Sequence, residues 1–199
     1  MQYVVLVGLF VMLLALLGLA DGLKLKPTRG VVSNLAGNLV ADVAVMGITY
    51  ARVMYSGPAT DVLQAWYDRF GLSASVADVL IGTLYIGVAQ AIATTNETLS
   101  KHVILFALLA VAVQMVGDML FYLLMRVGRS TAVGGFFTEW GKLAGVFGLV
   151  GDAALVLLAV LIASVIELSD ATAQAYLALF ALFAVCIVVH LNAPRVAAS

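Results

Sequence analysis

The chain has 199 residues, of which 64% are hydrophobic and 11% charged, and its mean hydropathy is +1.13 at a net charge of −1. Soluble domains carry roughly 25% charged residues and 45–50% apolar ones. This composition therefore excludes a soluble globular protein and places much of the apolar surface against lipid. A near-neutral chain without a run of basic residues is not expected to bind nucleic acid. The length fits one domain, and we assign residues 1–199 to a single membrane domain.

Six stretches are long and apolar enough to cross a bilayer, which takes about 20 residues of helix. They are roughly 2–20, 31–55, 75–94, 102–127, 143–166 and 172–191. The first has no basic leader and exceeds the roughly 7–15 apolar residues of a signal peptide, so we interpret it as a retained helix. The sequence thus predicts an all-α, polytopic integral membrane protein with a bundle of about six transmembrane helices. Its expected partners are the lipid bilayer and either further copies of the chain or a larger membrane complex.

The segment 61–70, DVLQAWYDRF, differs from the spans because its apolar and acidic residues separate onto opposite helical faces. This pattern predicts a short amphipathic helix in the membrane interface, with Trp66 and Tyr67 at headgroup level. Phe136, Phe137 and Trp140 predict the same location for the segment before the fifth span.

The basic residues give conflicting indications of orientation. Lys24, Lys26 and Arg29 argue for a cytoplasmic first loop. The opposite side carries more basic residues in total, namely Arg52, Arg69, Arg126, Arg129, Lys142 and Arg195. We expect the N-terminus to lie outside.

Helices two to five each contain the pattern Val, small residue, Asp. The four copies are Val40-Ala41-Asp42, Val76-Ala77-Asp78, Val116-Gly117-Asp118 and Val150-Gly151-Asp152. An aspartate at the centre of a spanning helix costs roughly 2.5–3.5 kcal/mol, so it normally faces the bundle interior and has a partner there. Asp78 stands only a few residues into its span, and we expect it near the surface as a helix cap.

Three of these aspartates form a candidate site with neighbouring polar residues. Asn34, Asn38 and Asp42 follow one another at four-residue spacing, as do Gln114, Asp118 and Tyr122, so each set lies on one helical face. Arg52 falls on the same face as the first set. Asp152 shares a face with Gly141, Gly145 and Gly148, where small residues would let another helix approach.

Two interpretations of this polar set remain open. In one, Asp42, Asp118 and Asp152, together with Asn34, Asn38, Gln114 and Tyr122, line a hydrated pathway for a small cation or a proton. In the other, the same groups are hydrogen-bonded packing contacts, and the protein is a non-catalytic structural or assembly subunit of a membrane complex or viral membrane.

Catalytic function is the weakest alternative, and we assign no catalytic residue, metal or cofactor. Intramembrane aspartyl proteases combine Tyr-Asp with Gly-x-Gly-Asp, but Leu149 stands where the first Gly of the second motif belongs. The Tyr-Asp pair, Tyr67-Asp68, lies in the amphipathic segment. His102 and His190 stand at the ends of spans rather than at metal-ligand spacing.

Short motifs between residues 60 and 165 resemble those of an uncharacterised family. They are Trp66-Tyr67, Phe70-Gly71-Leu72, Ala77-Asp78-Val79, Gln114, Asp118-Met119-Leu120-Phe121-Tyr122, Glu139 and Asp152. The family consists of small polytopic membrane proteins encoded by large DNA viruses of algae and protists. Gly134-Gly135-Phe136 departs from its pattern, which has a Gly-Asn turn there. The resemblance implies a viral membrane protein and emphasises the acidic residues as a set, but it carries no known activity.

Overall fold

The computed structural model describes residues 2–51 and 58–192, and within these ranges the chain forms helices without any strand. The helices are α1 Gln2–Gly22, α2 Val31–Ala51, α3 Pro58–Phe70, α4 Leu72–Ala93, α5 Glu97–Lys101, α6 Val103–Val127, α7 Ala132–Ala144, α8 Val146–Ile166 and α9 Ala171–Asn192. The predicted all-α class is confirmed.

Five helices have described segments long and apolar enough to cross a membrane: α2, α4, α6, α8 and α9. The first predicted span corresponds to α1, which is 21 residues long. The predicted amphipathic segment is α3, and the aromatic segment before the fifth span belongs to α7. The protein is therefore a membrane-embedded helical bundle.

The bundle has two ends that differ in character. The loop face carries the segments 23–30, 94–102 and 167–170, which join the spans there. The amphipathic face is the opposite end, where α3 and α7 connect consecutive spans. Because α2 and α6 both run from the loop face to the amphipathic face, while α4 and α8 return, the four helices alternate in direction.

The helices α2, α4, α6 and α8 form a central ring, with α1 packed against α6 and α8, and α9 against α2. Small residues allow the helices of this ring to approach one another closely. A Cβ on Gly37 of α2 would lie 2.7 Å from the Ala163 Cβ of α8, and one on Gly82 of α4 would lie 2.2 Å from Asn38 Oδ1 of α2. On the amphipathic face, α3 meets α7 through the stacked rings of Trp66 and Phe136, whose centroids are 5.3 Å apart.

At the loop face, Glu167 joins the end of α8 to the start of α2. Its Oε2 accepts hydrogen bonds from the Thr28 hydroxyl and the Gly30 N–H, each at 3.2 Å, and from the Ser33 hydroxyl. Gly30 directly precedes α2, so this carboxylate satisfies a free N–H at the positive end of the helix dipole. The side-chain amide of Gln90 in α4 donates to Thr28 O at 2.8 Å and ties in a third helix.

Each amphipathic helix passes into the next span through a single glycine in the left-handed region. Gly71, between α3 and α4, has φ 53° and ψ −131°, and Gly145, between α7 and α8, has φ 50° and ψ −129°. Residues other than glycine rarely adopt such backbone angles. The helix that corresponds to the predicted fifth span, roughly 143–166, therefore begins at Val146, after the turn at Gly145.

The units α2–α3–α4 and α6–α7–α8 have the same arrangement, in which an amphipathic helix connects two spans. Trp66 and Trp140, Gly71 and Gly145, and Asp78 and Asp152 each stand 74 positions apart. Asp42 and Asp118 stand 76 apart, because 24 positions separate Asp42 from Trp66 whereas 22 separate Asp118 from Trp140. Since the two units run in the same direction, they are related as parallel repeats about an axis along the membrane normal.

We expect Gly145→Ala to destabilise the protein by about 1–3 kcal/mol, because alanine is strained at this backbone conformation. A Cβ there would meet no atom within 4 Å, so packing would not contribute to the loss. Gly151→Ala is the matched control, since its Cβ also meets nothing within 4 Å but its position is helical, where alanine is favoured by about 0.5–1 kcal/mol. Thermal unfolding in detergent measures both; equal midpoints for the two variants would contradict the account.

Candidate functional site

Each helix of the central ring contributes the aspartate of its Val-small-Asp motif. Asp42 and Asp118 each stand nine residues before the end of their helix, and Asp78 and Asp152 each stand six residues after the start of theirs. At 1.5 Å per residue, the four lie about 9–14 Å from the amphipathic face. They therefore form one layer across the bundle, which we call the acidic layer.

The first unit holds its two aspartates through donors from α3. Asp42 is 1% exposed and accepts a hydrogen bond from the Tyr67 hydroxyl at 2.9 Å. Asp78 accepts one from Trp66 Nε1 at 3.0 Å. The second oxygen of Asp42, Oδ2, is buried and accepts no hydrogen bond from a described residue. The two carboxylates lie close enough for their charges to repel each other.

Tyr67 is the central donor of this unit. Burial raises the pKa of its hydroxyl well above the usual value for tyrosine, and the nearby carboxylates of Asp42 and Asp78 raise it further. Its side chain is 3% exposed. The hydroxyl therefore keeps its proton at physiological pH and remains a hydrogen-bond donor to the acidic layer.

The second unit is built differently. Asp118 accepts a hydrogen bond from the Tyr85 hydroxyl of α4 at 2.8 Å and another from the Gln114 amide one turn back on α6. The side-chain oxygen of Gln114 is buried and has no hydrogen-bond partner among the residues that the structure describes. Asp152 is half-buried, and its charge interacts with those of Asp118 and Asp78, which links the two units electrostatically.

No basic side chain balances these carboxylates within the described part of the chain. The Lys, Arg and His residues of that part stand in loops, in α3, α5 and α7, or in the last turn of a span. The Lys101–Glu97 ion pair and the hydrogen bond between His102 and Asp21 lie at the loop face. Nor do the described residues hold any group of three or more His, Cys, Asp or Glu side chains arranged to bind a metal ion.

The remaining predicted site residues divide between the layer and its surroundings. Asn34 and Asn38 are buried on α2 toward the loop face, where the Asn38 amide donates to Asn34 O at 2.9 Å. Asn34 Oδ1 has no hydrogen-bond partner in the described part of the chain. Tyr122 instead packs its ring against Gly141 of α7, and a Cβ there would lie 2.4 Å from Tyr122 Cε2. Arg52 lies outside the described residues.

Three expectations require correction. Asp78 does not cap its helix at the surface; it accepts a bond from Trp66 inside the acidic layer. Trp66 and Tyr67, expected at headgroup level, are 7% and 3% exposed and donate hydrogen bonds to Asp78 and Asp42 inside the bundle. Gly141, Gly145 and Gly148 do not share one helical face, because Gly145 ends α7.

Sequence reasoning missed the donors Trp66, Tyr67 and Tyr85. The available signal was the shared spacing of 74 positions, which relates the tryptophans and glycines of the two amphipathic helices as well as Asp78 and Asp152. It would have placed Asp78 beside Asp152 as a member of the same set. The roles of Tyr67 and Tyr85 had no such signal, because Gly141 and Ala159 occupy the matching positions in the second unit.

Comparison with known proteins supplies no function to transfer. No protein-family model matches the chain, and searches of curated proteins and of solved structures also find no match. What the protein does must therefore be inferred from the acidic layer itself.

We expect Tyr67→Phe to destabilise the protein by about 1–3 kcal/mol, because it leaves the buried Asp42 carboxylate without its donor. Tyr122→Phe is the matched control. Its hydroxyl makes no hydrogen bond to a described residue, so its loss should change stability by less than about 0.5 kcal/mol. Unfolding midpoints in detergent distinguish the two, and a Tyr67→Phe variant as stable as Tyr122→Phe would show that the Asp42 contact has no energetic weight.

Proposed function

We propose that the protein conducts protons across its membrane, with the acidic layer as the proton-binding site. The observation that supports this most directly is the presence of four carboxylates at one depth with no basic partner among the described residues. Four like charges at this depth are strongly unfavourable, so the layer must bind protons or a cation. Protons fit better than a divalent metal, because the described residues hold no three-carboxylate cage.

Polar groups continue from the layer toward both ends of the bundle. On the amphipathic side, the Tyr50 ring lies 6.4 Å from that of Tyr67, and its hydroxyl donates to the half-buried Asp68 at 3.0 Å. On the loop side, Asn38 and Asn34 follow Asp42 at one-turn intervals, before the cluster around Glu167. A line of groups that can hold protons or orient water thus extends along α2.

A structural or assembly role is the second candidate, and α9 favours it. Ala181 and Val185 are its buried residues on the side packed against α2, whereas Tyr176, Phe180 and Phe183 are 69%, 70% and 62% exposed along it. Large aromatic side chains on one face suit contact with another subunit as well as with lipid. In this role the aspartates serve only as interhelical hydrogen-bond acceptors, and the viral membrane resemblance would describe the setting.

Proton flux into liposomes tests the first candidate. The full chain is reconstituted around a trapped pH-sensitive dye, and a potassium diffusion potential supplies the driving force. We expect Asp42→Asn and Asp118→Asn each to lower the flux by at least about ten-fold, because an amide cannot release a proton at neutral pH. Asp170→Asn is the matched control: Asp170 is exposed, and its side chain accepts a bond from Ala173 N that an asparagine also accepts.

Each outcome has a defined meaning. Flux that survives both layer variants, or is absent in folded wild-type protein, overturns the proton pathway. In the second case, co-purification of the chain in a larger assembly would support the structural role. Flux carried by sodium or potassium instead of protons, and lost in the same variants, would reassign the acidic layer to a small cation.

A further inference from the structure

The loop face contains a basic cleft assembled from two distant parts of the chain. The cleft has a volume of about 450 Å³. It is lined by Asp21, Lys24, Lys26, Arg29, Glu97, Ser100, Lys101 and His102. The first four precede α2 and the others lie in and after α5, so the sequence shows no continuous basic run although the fold creates a basic site.

The charges of this cleft are unbalanced. Four permanent cations face two carboxylates, and both carboxylates are already engaged: Glu97 with Lys101, and Asp21 with His102 Nδ1 at 3.0 Å. Lys24, Lys26 and Arg29 form no ion pair with any described residue. The surplus of positive charge attracts an anion.

The walls of the cleft are anchored to the core. Leu25 and Leu99 pack against the buried cluster formed by α1, α6 and α8. Lys24 adopts φ 59°, and the backbone turn around it is closed by hydrogen bonds from Lys24 N to Asp21 O and from Leu25 N to Ala20 O, each 2.9 Å long. The basic side chains therefore project from a fixed backbone, which reduces the entropy lost when they bind a ligand.

We propose that this cleft binds a phosphate group, supplied by an anionic lipid headgroup or by a free phosphate. Its residues directly adjoin the last turn of α1 and the first turn of α6, so the cleft lies at the depth of lipid phosphates. Basic pockets at the ends of transmembrane helices bind such headgroups. The site is independent of the acidic layer, which lies toward the opposite face.

Titration of the detergent-solubilised full chain tests the site. The probes are dioctanoyl phosphatidic acid, dioctanoyl phosphatidylcholine and inorganic phosphate, each measured by thermophoresis near physiological ionic strength. We expect phosphatidic acid to bind about ten-fold or more tightly than phosphatidylcholine. The double substitution Lys24→Gln and Lys26→Gln should weaken that binding by about ten-fold or more, since each basic residue near an anionic surface contributes about a five-fold factor.

The matched control removes two positive charges at the opposite face, Arg126→Gln with Lys142→Gln, and gives the same net charge. It should leave phosphatidic acid binding unchanged, and unfolding midpoints of both double variants verify their folding. Inorganic phosphate that binds and competes with the lipid supports the site with a soluble phosphate as its source. Equal loss in both double variants, or no preference for phosphatidic acid together with no binding of phosphate, overturns the proposal.

Discussion

The constraint on which this structure depends is the placement of four carboxylates inside a bundle surrounded by lipid. Each must be shielded from hydrocarbon by neighbouring helices and given hydrogen-bond donors, because an unsatisfied charge at this depth costs several kcal/mol. The donors among the described residues are the Tyr67 and Tyr85 hydroxyls, the Trp66 indole and the Gln114 amide, and the aromatic ones bring large rings into a narrow space. Glycines make room for rings of this kind: a Cβ on Gly117 would lie 2.3 Å from the Tyr85 ring, and one on Gly148 would lie 2.0 Å from that of Trp140, the counterpart of Trp66 in the second unit. Glycine is therefore required at these positions because aromatic rings pack against them near the acidic layer.

The fold class could be predicted from amino-acid composition and hydropathy, whereas the hydrogen-bond partners of the four aspartates could not. Six apolar stretches indicate six spans because the bilayer fixes the length of a helix. The four aspartates were visible as a repeated pattern, but the partners of Asp42 and Asp78 come from α3, whose position depends on the turn at Gly71. A single left-handed glycine is indistinguishable in sequence from the many helical glycines of this chain. The direction in which Tyr67 points could therefore not be inferred.

The repeat also shows where the two units have diverged. Gly141 stands where the first unit has Tyr67, so α7 offers no hydroxyl to Asp118. The donor is Tyr85 from the other unit instead, and the hydrogen bond crosses between the repeats. The first pair of aspartates therefore takes its donors from its own unit, while Asp118 takes one donor from the other unit. This difference makes the two pairs chemically unequal despite the spacing that the two units share.

Differences between α2 and α6 also indicate which of these two helices the proposed proton route follows. In α2, Asn38 and Asn34 continue the polar line from Asp42 toward Glu167 at the loop face. In α6, the position matching Asn34 is Ala110, and Phe106 closes the next turn, both of them buried. An apolar segment without room for water blocks proton transfer, since each step needs a hydrogen-bonded partner. Under this proposal, protons from both pairs would leave toward the loop face along α2. Asp118 and Asp152 would pass their protons to the aspartates of the first unit, because α6 offers no second route.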